Sequence, residues 1–370
     1  MDFLYLSEDD LIKAGVMDMQ KCMDSMQYMF QLLKNGDYRM GGKDNNSHGL
    51  RVMFPKESDI ENMPIAAPGR WFTTMPAYLG GKYHIFGIKS YGANQDNSKR
   101  NLPRSILMMS LLDVETGAPI AYMSANILSA MRTGAISGLA AKYLANENSV
   151  RVAIIGPGVI GRYSLDAVMV ACPNIKKISI LGRGEENIKR FKEHCENHNY
   201  KFEEYNICST VEEVCKDADI IITANSQAEH FEDYPYVKGK YVKEGAAIIV
   251  TSALRVDKSF CNDDKKVVCI ADDCNQYKEN RTIDASPEGE TESVTFKNAL
   301  HENIVNNKKI YDLSDIINNP NFKRDKSKIY MFASGGSPLE DVAWATECYN
   351  NALKNNIGTK LIVWKDNTKL

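Results

Sequence analysis

The segment Arg151-Val-Ala-Ile-Ile-Gly156-Pro-Gly158-Val-Ile-Gly161 sets three glycines in a G-x-G-x-x-G spacing. A short apolar run leads into it, and a helical pattern follows from Arg162. Strand, tight turn and helix N-terminus in that order cradle a pyrophosphate. Gly156 permits the turn, Gly158 lets the backbone approach the phosphates, and Gly161 lets helix and strand pack closely. The helix N-terminus adds free N–H groups and the positive end of a dipole. The spacing therefore predicts dinucleotide binding. A glycine-rich turn in an unrelated βαβ unit is the alternative.

The end of the second strand selects between the two nicotinamide dinucleotides. An acidic residue there receives the ribose 2′-OH, whereas an arginine accommodates a 2′-phosphate. Here Ile178-Ser-Ile-Leu181 runs into Gly182-Arg183-Gly184. Glu185 and Glu186 come later, at a helix start, where they also suit the dipole. The reading favours NADP(H) through Arg183. NAD(H) is the alternative, with Arg183 a solvated loop residue.

These residues need a doubly wound scaffold, and the pattern from Val150 onward supplies one. Strands are expected at 151–155, 177–182, 202–206, 219–223, 246–251 and 267–271, separated by helices or turns. Before them, residues 17–35 repeat Met19, Cys22, Met23, Met26, Phe30 and Leu33 at helical steps, and Lys34-Asn-Gly36-Asp37 ends that helix. Residues 38–70 are polar and irregular. Runs at 85–91, 105–112 and 118–123 read as strands of a mostly antiparallel sheet, followed by a small-residue helix over 124–145. A helix near 291–305 and a last helix over 339–355 complete the pattern.

A length of 370 residues suits about two domains. A net charge of −3 gives no reason to expect nucleic acid or an acidic membrane as partner. No stretch is long and apolar enough to span a bilayer, and the acidic N-terminus is unlike a signal peptide. The nine cysteines are scattered, with no C-x-x-C pair, which reads as reduced thiols of a cytoplasmic protein and gives no metal site.

Outside the glycine motif, Leu102-Pro103-Arg104-Ser105, Leu112-Asp113-x-x-Thr116-Gly117 and Ala130-Met131-Arg132-Thr133-Gly134-Ala135 stand in order before Gly156-x-Gly158. Met75-Pro76-Ala77 and Lys89 precede them, and Phe332-x-x-Gly335-x-x-x-x-Glu340-Asp341 follows near the C-terminus. Across nearly the whole chain this resembles the ornithine cyclodeaminase/mu-crystallin family. The segments Met40-Gly41-Gly42 and Asn46-Ser47-His48-Gly49 most resemble its subset of tyramine oxidase B subunits. The resemblance implies an α/β chain in which a central Rossmann dinucleotide-binding domain, 130–329, is inserted in an α+β substrate-binding and dimerisation domain, 1–129 and 330–370. It implies a homodimer, and hydride transfer between a nicotinamide and the amine or imine carbon of an amino acid, amine or cyclic imine. It makes Lys89 and Arg132 the catalytic, substrate-binding pair, and the expected cofactor contacts are Thr133, Gly156, Gly158, Val159, Ile160, Gly161 and Arg183. The chemistry agrees: an Arg fork suits a carboxylate, and Lys offers a compact second charge. An ion pair or a snorkelling side chain is the structural alternative for either cation.

The chain departs from the family pattern after the strand at 246–251. The acidic residue of ornithine cyclodeaminases falls at or near Leu254, and Ser124 stands where the family often has Asp. Leucine moves no protons, so conversion of ornithine to proline is only an alternative here. His48 is a candidate replacement proton carrier. Asp257 is a nearby acid, Arg51 a further candidate carboxylate contact, and Tyr91 a weaker candidate. A non-catalytic dinucleotide-binding accessory subunit is the reading from a different class.

Overall fold

The computed structural model describes residues 1–42, 45–67, 69–226, 233–252, 254–279 and 310–365. The chain forms two compact units, Met1–Arg132 with Ser337–Leu370, and Thr133–Gly336. The expected helix near 291–305 lies outside the described residues. Among the described residues no helix is long and apolar enough to cross a membrane.

The first unit is an eight-stranded sheet. Its strands are β1 (Asp2–Leu6), β2 (Tyr38–Met40), β3 (Leu50–Val52), β4 (Trp71–Leu79), β5 (Ile85–Ala93), β6 (Ser105–Leu112), β7 (Pro119–Ser124) and the C-terminal strand Thr359–Ile362. The order runs C-terminal strand, β1, β7, β6, β5, β4, β2, with β3 also on β4. Only the β1–β7 pair is parallel. Along β4 every second residue, from Trp71 to Leu79, is buried, the period of a sheet covered on one face. The cover is the C-terminal helix Pro338–Lys354, which packs on β4, β5 and β6 and on a methionine-rich helix. After the short helix α1 (Glu8–Lys13), that helix, α2 (Met19–Asn35), starts on the Asp18 cap and stops at Gly36 at φ +72°.

The helix α3 (Asn126–Leu144) is buried on nearly every side, as its run of Ala, Gly and Ile permits. Its early turns carry Ser129 and Arg132 in the first unit, and the rest belongs to the second. There Gly134 and Gly138 lie so close to Tyr163 and Ala167 that an added Cβ would meet their backbone at 2.6 and 2.7 Å.

The second unit has an all-parallel sheet of eight strands: β8 (Arg151–Ile155), β9 (Lys177–Leu181), β10 (Glu204–Cys208), β11 (Ile220–Thr223), β13 (Ala247–Val250), β15 (Val267–Ala271), β16 (Ile310–Asp312) and β17 (Ile329–Ala333). β12 (Tyr236–Val237) and β14 (Arg255–Val256) pair separately. The order β10-β9-β8-β11-β13-β17-β15-β16 reverses direction between β8 and β11. A doubly wound sheet binds its ligand at that switch point, outside the carboxyl ends of the strands. β11, β13 and β17 are buried at every residue, as a sheet covered on both faces requires. β17 pairs with β13 and β15, so 330–336 belong to this unit and not, as expected, to the first. The α/β class with a Rossmann unit between two segments of a second unit is as expected.

Candidate active site

The glycine loop leaves β8 and enters α4 (Val159–Ala171). Gly156 has φ +96°, and a Cβ there would lie 2.6 Å from the backbone of Ala224 and Asn225. Gly161 approaches the Gly156 carbonyl so closely that no side chain fits. Both are therefore demanded by the fold. Gly158 is not: its φ is −79°, and a Cβ would meet nothing within 4 Å. Its missing side chain leaves open space at the helix N-terminus, where Gly158 caps α4 without a side chain. The N–H groups of Val159, Ile160 and Gly161 belong to the first turn, which has no intrahelical acceptors. A dinucleotide pyrophosphate fits this cradle. Arg183 follows β9 and is exposed, while Glu185 and Glu186 begin α5 (Glu185–Asn197), where Glu186 pairs with Arg190.

In the first unit four charged side chains meet almost without water. Lys89 Nζ donates to Asp341 Oδ2 at 2.5 Å and lies 3.5 Å from Ser129 Oγ. Arg132 Nε donates to Asp341 Oδ1 at 3.1 Å, Nη2 to Ser129 Oγ at 3.3 Å, and Nη1 to Glu340 Oε2. Lys89 is 3% exposed and Asp341 fully buried, so two cations balance two anions in a dry setting. Each is placed by its element. Lys89 is central in β5, between Met75 of β4 and Met109 of β6. Ser129 and Arg132 lie three apart on α3 and share a face. Glu340 and Asp341 occupy the first turn of the C-terminal helix, capped by Ser337, where the dipole also favours them. Burial lowers the affinity of Lys89 for its proton. Burial would raise that of Asp341, but Arg132 and Lys89 outweigh it and hold the carboxyl below its usual range. The Arg132 guanidinium stays charged.

Along the same covered face the cross-strand row next to Lys89 is Arg51, Thr73 and Tyr91. The Tyr91 ring lies 5.9 Å from Lys89 Nζ, and Arg51 stacks 4.8 Å from the Trp71 ring. Trp71 Nε1 and Thr73 Oγ1 are buried and have no partner among the described residues. Buried polar atoms left this way are uncommon, and a polar ligand would satisfy them.

The model of the ornithine cyclodeaminase/mu-crystallin family matches residues 16–356. The chain belongs to this family. It is 29% identical to N-((2S)-2-amino-2-carboxyethyl)-L-glutamate dehydrogenase of Staphylococcus aureus, over 97% of this chain and 98% of that one. It is 27% identical to alanine dehydrogenase of Archaeoglobus fulgidus, over 98% of both. Among solved structures, Δ(1)-pyrroline-2-carboxylate reductase of Thermococcus litoralis, in complex with NADH and L-proline, superposes with a TM-score of 0.77 at 26% identity, over 96% of this chain and 99% of that one.

Within this family member, Leu254 is 1% exposed and packs into the core under the parallel sheet. Asp257 is no substitute acid. It accepts from Tyr236 OH at 2.5 Å and from Gly239 N at 2.6 Å, and these bonds hold its carboxyl below the usual range. His48 is half-buried in a loop tied by the Gly41–Ser47 bridge. The next residue, Gly49, leaves no room for a Cβ against Thr74 and Met75 of β4. Ser129, Glu340 and Asp341 join the cluster beyond the expected site residues, the two acids standing in the sequence only as part of the C-terminal motif. The paired acids right after the Ser337-Pro338 helix start were the available signal.

Proposed function

We propose that this protein is a nicotinamide-dependent oxidoreductase that transfers hydride between the cofactor and the nitrogen-bearing carbon of an amino acid or its imine. The observation that carries this reading is the dry cluster of Lys89, Arg132, Glu340 and Asp341. A buried planar guanidinium anchored by two carboxylates is pre-oriented for a substrate carboxylate. A buried lysine with lowered proton affinity can exchange a proton with the substrate nitrogen, and Asp341 stabilises its charged form. The cofactor supplies the hydride chemistry. The relatives named above act, by their names, on amino acids or a cyclic imino acid. Thr133, Gly156, Gly158, Val159, Ile160, Gly161 and Arg183 are the proposed cofactor contacts. Lys89, Arg132 and Arg51 are the proposed substrate contacts, and His48 stays a candidate proton carrier. NADP(H) is the preferred cofactor through Arg183, although the pyrroline-carboxylate reductase complex holds NADH.

The uncovered face of the first unit supports a homodimer. Val52, Phe72 and Ile106 form a cross-strand row there and are 55%, 54% and 46% exposed. A second copy would cover this apolar row, and twofold dimers are the commonest soluble oligomers. Nine free thiols suit a reducing compartment, here the cytoplasm.

The deciding experiment follows nicotinamide absorbance while the purified protein is incubated with amino acids, amines and cyclic imines. Turnover of an α-amino or α-imino acid is the expected result. Ornithine should yield no useful proline, because Leu254 cannot move protons. Robust proline formation would restore the cyclodeaminase reading. Tight cofactor binding with silence across the screen would favour an accessory subunit.

A further inference from the structure

A second cluster of chemistry-bearing side chains lies away from both cradle and charged quartet. Asp166 is on α4, two turns after the glycine loop, and His194 and His198 stand four residues apart at the end of α5. His194 Nε2 lies 2.7 Å from Asp166 Oδ1, and His198 Nε2 lies 4.0 Å from Asp166 Oδ2. One ligand atom from each residue falls within 4.8 Å of the other two. We propose that these three side chains form a divalent transition-metal site, with zinc as its ion, that clips α4 to α5.

Three features favour metal over a plain hydrogen bond. First, His198 Nδ1 faces the His194 carbonyl at 2.9 Å. Only N–H can face a carbonyl, so in the neutral ring the lone pair falls on Nε2, the nitrogen 4.0 Å from Asp166 Oδ2. Fixing an imidazole through its other nitrogen is the usual outer shell of a metal-binding histidine. Second, the carboxylate is itself supported, because Tyr200 OH donates to Asp166 Oδ1 at 2.9 Å. Third, access is graded: the Asp166 side chain is 8% exposed, that of His194 13% and that of His198 39%. An ion can therefore enter past His198 onto a buried carboxylate.

The geometry needs little change. A tetrahedral ion with bonds of about 2 Å sets its ligand atoms about 3.3 Å apart. The 2.7 Å contact to one carboxylate oxygen must open, and the wider separations, none above 4.8 Å, must close toward that spacing. The proton between His194 and Asp166 leaves to solvent or moves to His194 Nδ1. Two imidazoles and a carboxylate suit zinc over magnesium or calcium, and water fills the remaining position.

The test is metal titration of the full-length protein against a colorimetric chelator, with zinc alone and then with cobalt as a spectroscopic probe. One tightly bound equivalent is expected. The cobalt form should show tetrahedral visible bands without thiolate charge transfer, which separates this site from the nine cysteines. His198→Ala removes a half-exposed ligand and should weaken binding about tenfold or more, with the metal-free melting temperature unchanged. His194→Gln should do the same, and zinc should raise the melting temperature of the parent more than that of either variant. Unchanged affinity in His198→Ala, a thiolate signature in the cobalt spectrum, or the absence of a tight equivalent would each overturn the proposal.

Discussion

The glycine cradle occupies six consecutive residues, Gly156 to Gly161, and works through backbone N–H groups. The charged cluster gathers Lys89, Ser129, Arg132, Glu340 and Asp341 from a strand and two helices, with Lys89 and Asp341 252 positions apart, and works only through side chains. The cradle owes its chemistry to atoms that are missing, since Gly158 leaves open space. The cluster owes its chemistry to charges that burial makes costly to leave unmatched. Damage at Gly158 should therefore separate binding from folding, whereas damage in the cluster should couple turnover to folding.

The largest effects are expected in the cluster. Lys89→Ala and Arg132→Ala should each abolish turnover while dinucleotide binding persists. Each also leaves an unpaired buried charge, which costs about 3–5 kcal/mol, so urea unfolding must be read alongside the assay. Replacing both partners, Lys89→Met with Asp341→Leu, should recover much of that stability without recovering activity. Parental turnover in the double variant would reduce the cluster to a structural ion pair.

Within the cradle, the contrast to draw is between two glycines. Gly156→Ala meets backbone at 2.6 Å in a left-handed conformation and should destabilise the fold. The Cβ added by Gly158→Val meets nothing within 4 Å, and apart from a cap penalty of about 1 kcal/mol the variant should keep an unfolding midpoint near that of the parent. It should nevertheless lose dinucleotide affinity in a fluorescence titration. Tight binding by this variant would remove the cradle from the mechanism.

Smaller effects test individual charges. Arg183→Ala should weaken NADPH by about 1.5–3 kcal/mol and leave NADH unchanged in the same titration. A preference for NADH that ignores this substitution would end the argument for NADP(H). Smallest is Asp273, just beyond β15. Burial lifts its carboxyl from 3.8 to about 6, and Oδ2 has no partner among the described residues. Between those values the folded protein keeps a proton that the unfolded chain has lost, so its contribution to stability falls as pH rises across the window. Asp273→Asn should flatten that slope and raise stability at neutral pH in urea titrations at several pH values. An unaltered slope would mean that the carboxyl titrates normally.

What the sequence disclosed follows the same division. The helix expected at 17–35 runs Met19–Asn35, and that expected at 339–355 runs Pro338–Lys354, because both carry apolar periodicity and end signals. The strand expected at 202–206 is Glu204–Cys208, an edge strand with no fully buried residue to fix its position in the pattern. β3 and the C-terminal strand escaped notice, being three and four residues long, and the latter is exposed throughout.

Local chemistry was enough to determine the glycine turn and the parallel sheet behind it, because each is written in neighbouring residues, whereas the departure at Leu254 is legible only against the family pattern. Family resemblance flagged Lys89 and Arg132 but left open whether they were ligand contacts or ion pairs. Only tertiary structure decided that both are paired, that Asp341 serves both, and that Asp257 is committed to Tyr236 and Gly239. The reason is physical. A backbone cradle is set by short-range torsions, whereas the partner of a buried charge is set by which distant elements pack beside it.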